Sequence, residues 1–156
     1  MFRQKDQRMM SCPERIILVR PRGFCAGVGR ALHIIDRVLE KYPPPIYCRK
    51  ELVHNNLVVN ALAERGLVFI EEVTEAPERG TVVFSAHGVA PEVRRMAEAR
   101  RQTIIDATCP FVTKVHNEVK RFAAKGFTVF VAGYREHDEI VGLCGEAPAH
   151  VLVLES

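Results

Sequence analysis

The chain has 156 residues, 47% of them hydrophobic, and its 22 basic and 19 acidic side chains give a formal net charge of +3. This length and composition allow a buried core and exclude a disordered chain. The net charge is small and both signs are interspersed, so the composition does not indicate binding to nucleic acid or to an anionic membrane surface. No apolar run reaches the roughly 18 residues of a membrane span.

Residues 1–14 form a polar leader that we expect to be disordered, because they lack the apolar core of a signal peptide. The chain has no export signal and an odd number of cysteines, which are Cys12, Cys25, Cys48, Cys109 and Cys144. We therefore predict a cytoplasmic protein whose cysteines serve metal ligation or catalysis rather than a disulfide framework.

The first predicted element is a buried strand at residues 16–19, a short run of four apolar side chains. It leads into the turn 21–28, where Cys25 lies between Gly23 and Gly27. Apolar side chains then recur at helical spacing and predict an amphipathic helix. Cys25 is therefore predicted at a helix N-terminus, where unpaired N–H groups favour a thiolate. The alternative is a buried cysteine that acts as a small hydrophobic residue.

Strands and helices alternate through the rest of the chain. Further strands are predicted at 46–48, 67–70, 81–85, 103–107, 127–131 and 151–154. The alternation predicts an α/β fold with a mainly parallel, doubly wound sheet. We expect 15–107 to form a first α/β domain and 108–156 the incomplete start of a second, similar one. A two-stranded sheet is marginal on its own, so its open edge predicts poor stability or self-association.

Ligands of doubly wound sheets bind outside the carboxyl ends of the strands. Six residues with useful chemistry follow predicted strands: Cys25, His54, His87, Cys109, His137 and Glu139. By contrast, His33 and His116 lie inside predicted helices, and we expect them to face solvent or a local partner.

Cys25 and Cys109 lie far apart in sequence and do not form the close pair typical of a zinc site. Widely separated cysteines can hold an iron–sulfur cluster, histidines beside it can hold a phosphate, and a carboxylate can move a proton. A redox pair formed by Cys25 and Cys109, or a simple phosphate-binding α/β module, are the alternatives.

Five stretches resemble the 4-hydroxy-3-methylbut-2-enyl diphosphate reductases, or LytB proteins. They are 21–28, 54–59, 85–89, 106–116 and the weaker 133–145. The resemblance corresponds only to the N-terminal half of the family's usual chain. It implies an iron–sulfur oxidoreductase that forms isopentenyl and dimethylallyl diphosphates in the methylerythritol phosphate pathway of isoprenoid biosynthesis.

By position, Cys25 and Cys109 match two of the three cysteines that hold the family's 4Fe-4S cluster. The third lies in a region that this chain does not possess, and neither Cys12, Cys48 nor Cys144 occupies a matching motif. The resemblance further implies that three histidines bind the allylic diphosphate substrate and that a glutamate delivers protons; these are His54, His87, His137 and Glu139.

Where the family's usual pattern is Gly-His-x-Gly-His-Pro-Glu-Val-x-Gly-Thr, this chain has other residues at Tyr134, Glu136, Asp138 and Leu143. The resemblance also implies ferredoxin or flavodoxin as electron donor. We expect the chain to be a fragment, the product of a split or degraded gene, or a subunit completed by another polypeptide, and to be inactive without its missing C-terminal half. The alternative is a non-catalytic remnant, or an α/β module that binds phosphate or metal.

Overall fold

The structure, a computed structural model, describes residues 15–155. The predicted leader 1–14 lies outside these residues. The strands are β1 (Ile46–Arg49), β2 (Leu67–Ile70), β3 (Thr81–Phe84), β4 (Thr103–Asp106), β5 (Val129–Ala132) and β6 (Val151–Leu154). The helices are α1 (Ala26–Lys41), α2 (Asn56–Glu64), α3 (Pro91–Ala99), α4 (Pro110–Ala123) and α5 (Asp138–Glu146).

The first four strands form a parallel sheet in the order β2-β1-β3-β4, which we call the larger sheet. Successive strand residues point to opposite faces. Val83 packs in one core with Ile35 of α1 and Leu62 of α2. Its neighbour Phe84 packs in a second core with Val93 of α3. Helices thus cover both faces, and the predicted doubly wound α/β fold is confirmed.

The last two strands, β5 and β6, pair in parallel as a separate sheet, which we call the smaller sheet. One of its faces packs on α4 and α5 through a small core that includes Val119, Leu143 and Val151. Side chains on its other face are more than half exposed: Phe130 (63%), Leu152 (53%) and Leu154 (53%). This open apolar face is the opposite of the larger sheet, which is covered on both sides.

The prediction of a strand at residues 16–19 is wrong. This segment has no regular secondary structure, and its four apolar side chains are 65% to 75% exposed. Apolar composition selects a strand only where a neighbouring strand can satisfy the backbone N–H and C=O groups. In the part of the chain that the structure describes, residues 16–19 pair with no strand.

Helix boundaries follow local chemistry. Proline occupies the first turn of α3 and of α4, where its missing N–H costs nothing. Asn55 caps α2 by accepting a hydrogen bond from the Val58 N–H. Within residues 15–155, no helix combines the length and apolar character that crossing a membrane requires.

Candidate functional site

Cys25 and Cys109 begin the two helices that lead away from the site. Cys25 caps α1, and its Sγ accepts a hydrogen bond from the Val28 N–H at 3.5 Å. Cys109 is the N-cap residue of α4. A Cβ placed on Gly27 would lie 2.5 Å from the Cys109 Sγ and 3.8 Å from the Cys25 Sγ. Both thiols therefore face the same point, and the missing side chain of Gly27 leaves them room.

Backbone contacts fix the loop that carries Cys109. Its N–H donates to the Ala86 carbonyl at 3.0 Å, which ties this loop to the end of β3. Arg30 of α1 donates to the Thr108 carbonyl, also at 3.0 Å. The loop before Cys109 is thus held to the helix that Cys25 begins.

Asp106 at the end of β4 stabilises the same loop. Its carboxylate accepts a hydrogen bond from the Thr108 N–H at 2.9 Å and pairs with Arg94. Burial alone would raise the pKa of Asp106, but the hydrogen bonds from Thr108 and Arg94 outweigh it and hold that pKa below its usual range. Asp106 is thereby kept ionised as a fixed acceptor.

Three histidines from three separate loops converge beside this loop. The rings of His54 and His87 stack with centroids 4.2 Å apart. The His137 ring meets them edge-on, at 5.7 Å from His54 and 6.3 Å from His87. His54 and His87 follow β1 and β3 of the larger sheet, whereas His137 caps α5 beside the smaller sheet.

Neighbouring groups orient two of these rings and set their charge. The His87 Nδ1 lies 3.3 Å from the Ser85 hydroxyl, and the His54 Nδ1 lies 3.3 Å from a Glu51 carboxylate oxygen. Burial lowers the pKa of His87, and the positive charges of His54 and His137 lower it further against the attraction of Glu139. The lowered pKa favours the neutral form of His87, and a bound anion would favour its protonated form.

Glu139 lies in the first turn of α5, two residues after His137. The Glu139 N–H donates a hydrogen bond to the His137 Nδ1 at 3.3 Å. The imidazole that caps α5 and the Glu139 carboxylate therefore belong to the same helical turn. The Glu139 side chain is half-buried and lines a cavity of about 170 Å³ with the apolar side chains of Phe111, Val112, Val115 and Leu143. A carboxyl group beside an apolar cavity is suited to protonating an apolar carbon chain.

Two glycines of α5 allow this helix to approach the loop that follows His87. A Cβ on Gly145 would lie 2.5 Å from the Ala90 Cβ, and one on Gly142 would lie 3.1 Å from the His116 Cε1. A side chain at position 145 would clash with Ala90, and one at position 142 would make a tight contact with His116 of α4. The sequence analysis missed this contact, although two glycines three residues apart on one helix are the signal that could have indicated it.

The other cysteines lie elsewhere. Cys48 is fully buried in the core of the larger sheet, and burial raises the pKa of its thiol to about 12. Cys144 packs against the core of the smaller sheet, and Cys12 lies outside the described residues. Among residues 15–155, no three His, Cys, Asp or Glu side chains form a group that could hold a metal ion.

The fold and the site together define a parallel α/β protein with cysteines and histidines gathered at the carboxyl ends of its strands. Residues 16–156 match the family described as LytB protein. The chain belongs to the LytB family.

Curated relatives and solved structures agree with this assignment. The chain is 54% identical over 138 residues to the 4-hydroxy-3-methylbut-2-enyl diphosphate reductase of Corynebacterium diphtheriae, covering 88% of this chain and 41% of the relative. The Mycolicibacterium vanbaalenii reductase is 53% identical over 143 residues, which cover 92% of this chain and 42% of the relative. The chain thus spans about two fifths of the length of these relatives.

Among solved structures, the chain is similar to the E-1-hydroxy-2-methyl-but-2-enyl-4-diphosphate reductase from Plasmodium falciparum. The TM-score is 0.84 at 38% identity, covering 86% of this chain and 42% of that one. A second structure is described as (E)-4-hydroxy-3-methyl-but-2-enyl diphosphate reductase, the terminal enzyme of the non-mevalonate pathway. It gives a TM-score of 0.78 at 31% identity, and the match covers 90% of this chain and 51% of that one.

Proposed function

We propose that this chain is the N-terminal part of a 4-hydroxy-3-methylbut-2-enyl diphosphate reductase, which converts that allylic diphosphate to isopentenyl and dimethylallyl diphosphates. The observation that carries the proposal is the convergence of two thiols and three imidazoles from five separate segments of the chain. The relatives that the chain matches bear the name of this reductase.

Cys25 and Cys109 would hold a 4Fe-4S cluster. Their thiols fit such a group, because both face one point that the absent side chain of Gly27 leaves open. Each cysteine is also the N-cap residue of a helix, so regular secondary structure fixes the backbone that carries both thiols. When bound, such a cluster supplies single electrons and an open Lewis-acid position. A third cysteine ligand would come from the part of the family's length that this chain does not span.

His54, His87 and His137 would bind the diphosphate group. Each imidazole offers an N–H donor, and the stacked pair together with the edge-on ring presents several donors to one anion. The lowered pKa of His87 favours its neutral form when no anion is bound. Anion binding would favour protonation of this ring, which strengthens its hydrogen bond to the anion.

Glu139 would deliver protons to the allylic carbon chain. It lines the apolar cavity beside Phe111 and lies in the same helical turn as His137. The diphosphate would thus be held by imidazoles while its hydrocarbon part reaches an apolar cavity beside a carboxyl group. This separation of polar and apolar contacts matches an allylic diphosphate.

The apolar face of the smaller sheet and residues 16–19 would be covered by the rest of the family's length, whichever chain carries it. Exposed apolar patches of this kind mark protein interfaces. We expect activity only after that remainder is present. We assign the electron supply to ferredoxin or flavodoxin and, from the cysteine content, place the reaction in the cytoplasm.

The test is anaerobic reconstitution of the full chain with iron and sulfide, alone and together with the C-terminal remainder of the Corynebacterium diphtheriae relative. We expect the mixture to show the absorbance of the cluster and, with reduced ferredoxin as electron donor, to reduce the allylic diphosphate substrate. If neither appears in either sample, the proposal is wrong.

Glu139→Gln tests the proton-delivery role separately. We expect it to abolish turnover in the reconstituted mixture, because an amide cannot donate the proton, while iron content and pyrophosphate binding stay unchanged. Glu136→Gln, which neutralises an exposed carboxylate three residues earlier, is the matched control. Undiminished turnover in Glu139→Gln would show that another group supplies the proton.

A second candidate function is a phosphate-binding module without turnover. It is favoured by the contrast between three converging imidazoles and only two converging thiols in the described residues. Pyrophosphate binding that survives Cys25→Ala and Cys109→Ala, without any cluster in the wild-type mixture, would support it.

A further inference from the structure

His116 of α4 is buried, although its position inside a helix predicted exposure or a local partner. Only 6% of the residue is exposed, and its Nδ1 donates to the Glu146 Oε1 of α5 at 2.7 Å. Glu146 is itself buried, and its other oxygen lies 3.6 Å from the Lys120 Nζ. The ring is therefore held in a fixed plane between two helices.

The opposite edge of the His116 ring fits between two glycines. Its Nε2 lies 3.3 Å from a Cβ placed on either Gly88 or Gly142. Gly88 has a φ of +79° and directly follows His87, whereas Gly142 lies on the helix that His137 caps. One side chain thus contacts both backbone segments that carry two of the three converging histidines.

The two nitrogens of the His116 ring have different surroundings. The Nε2 is buried and has no hydrogen-bond partner among the described residues, which is unfavourable, whereas the Nδ1 pairs with the buried Glu146 carboxylate. The planar imidazole is thin enough to fit between Gly88 and Gly142, and its hydrogen bond to Glu146 fixes its orientation. A side chain with both properties can hold these two backbone segments at a fixed distance.

We infer that His116, oriented by Glu146, is a positioning residue that sets the distance between His87 and His137 and so closes the three-imidazole site. It would act through the backbone segments that carry these rings and would not itself bind the anion. The inference rests on the proposed diphosphate binding by His54, His87 and His137. Its chemical consequence is that affinity for a diphosphate depends on the contact between α4 and α5.

The test uses the full chain, inorganic pyrophosphate as the probe, and two readouts: calorimetric affinity, and the nuclear Overhauser contact between the ring protons of His87 and His137. We expect His116→Ala to weaken pyrophosphate binding about tenfold, because small displacements of binding groups are costly, and to remove that contact. Lys120→Ala, which removes only the exposed partner of Glu146, is the matched control and should retain both.

Glu146 supplies a second pair of variants that does not depend on folding of His116→Ala. Glu146→Gln still accepts the Nδ1 hydrogen bond and should retain affinity and ring contact, whereas Glu146→Ala should lose both to a similar extent as His116→Ala. A role in stability alone would lower the melting temperature of Glu146→Ala without changing pyrophosphate affinity, and that result would overturn the inference.

Failure of the proposed function gives a different result. If the wild-type chain does not bind pyrophosphate, the diphosphate site is wrong, and the ring contact alone decides the positioning role. Retention of the contact between His87 and His137 in both His116→Ala and Glu146→Ala would then overturn the inference.

Discussion

The larger and smaller sheets contribute unequally to the candidate site. Helices cover both faces of the larger sheet, and the loops around it supply Cys25, His54, His87 and Cys109. The smaller sheet has one covered face, and the segment between its strands, which includes α5, supplies His137 and Glu139. The comparison shows that His137 and Glu139 are not positioned by a complete hydrophobic core beneath the smaller sheet. They are positioned by α5, which packs closely on its neighbours at Gly142 and Gly145.

The largest expected effect concerns the part of the site beside the larger sheet. Gly27→Ala should abolish cluster assembly in the reconstituted mixture, because the added methyl group would lie 2.5 Å from the Cys109 Sγ. Iron content and visible absorbance measure the effect. Gly29→Ala, two residues along the same helix, is the matched control, because its added methyl group meets nothing within 4 Å. Normal iron content in Gly27→Ala would mean that the two thiols do not share a ligand.

The second prediction compares the stability of the two sheets. Phe84→Ala should lower the free energy of unfolding by about 3–5 kcal/mol, because this fully buried ring fills the core of the larger sheet. Leu152→Thr on the open face of the smaller sheet should change it by less than about 0.5 kcal/mol and reduce self-association. Urea unfolding and size-exclusion chromatography measure the two effects. Equal losses of stability would show that the open face is covered in solution.

The smallest expected effect is a pH dependence of stability. Burial and the nearby imidazoles lower the pKa of His87 from its ordinary value of 6.5, so below that pH the unfolded chain binds a proton that the folded chain does not. The free energy of unfolding should therefore fall as pH drops through 6.5 and level off below the folded-state pKa. The loss is about 1.4 kcal/mol for each pKa unit between the two states.

His87→Gln should remove this part of the pH dependence, as measured by urea unfolding between pH 8 and about pH 5. Replacement of His33, an exposed histidine on α1, controls for the loss of one imidazole. An unchanged slope in His87→Gln would mean that another group is responsible.

Much of the fold followed from the sequence because buried parallel strands and amphipathic helices leave strong local patterns. The positions of Cys25 at a helix start and of His54 and His87 after strands could be predicted in this way. Residues 16–19 could not, because pairing depends on a partner strand that local sequence does not report. The buried pair of His116 and Glu146 was missed for a similar reason, since only the packing of α4 against α5 brings the two together.

The exposed segment 16–19 leads within six residues to Cys25, whose side chain is also exposed. A protein surface that orders this segment also restricts the backbone that carries the thiol. If Cys25 ligates the proposed cluster, metal binding and association are thermodynamically linked, and each must strengthen the other by the same factor. Under the proposed function, loss of iron would therefore weaken association as well.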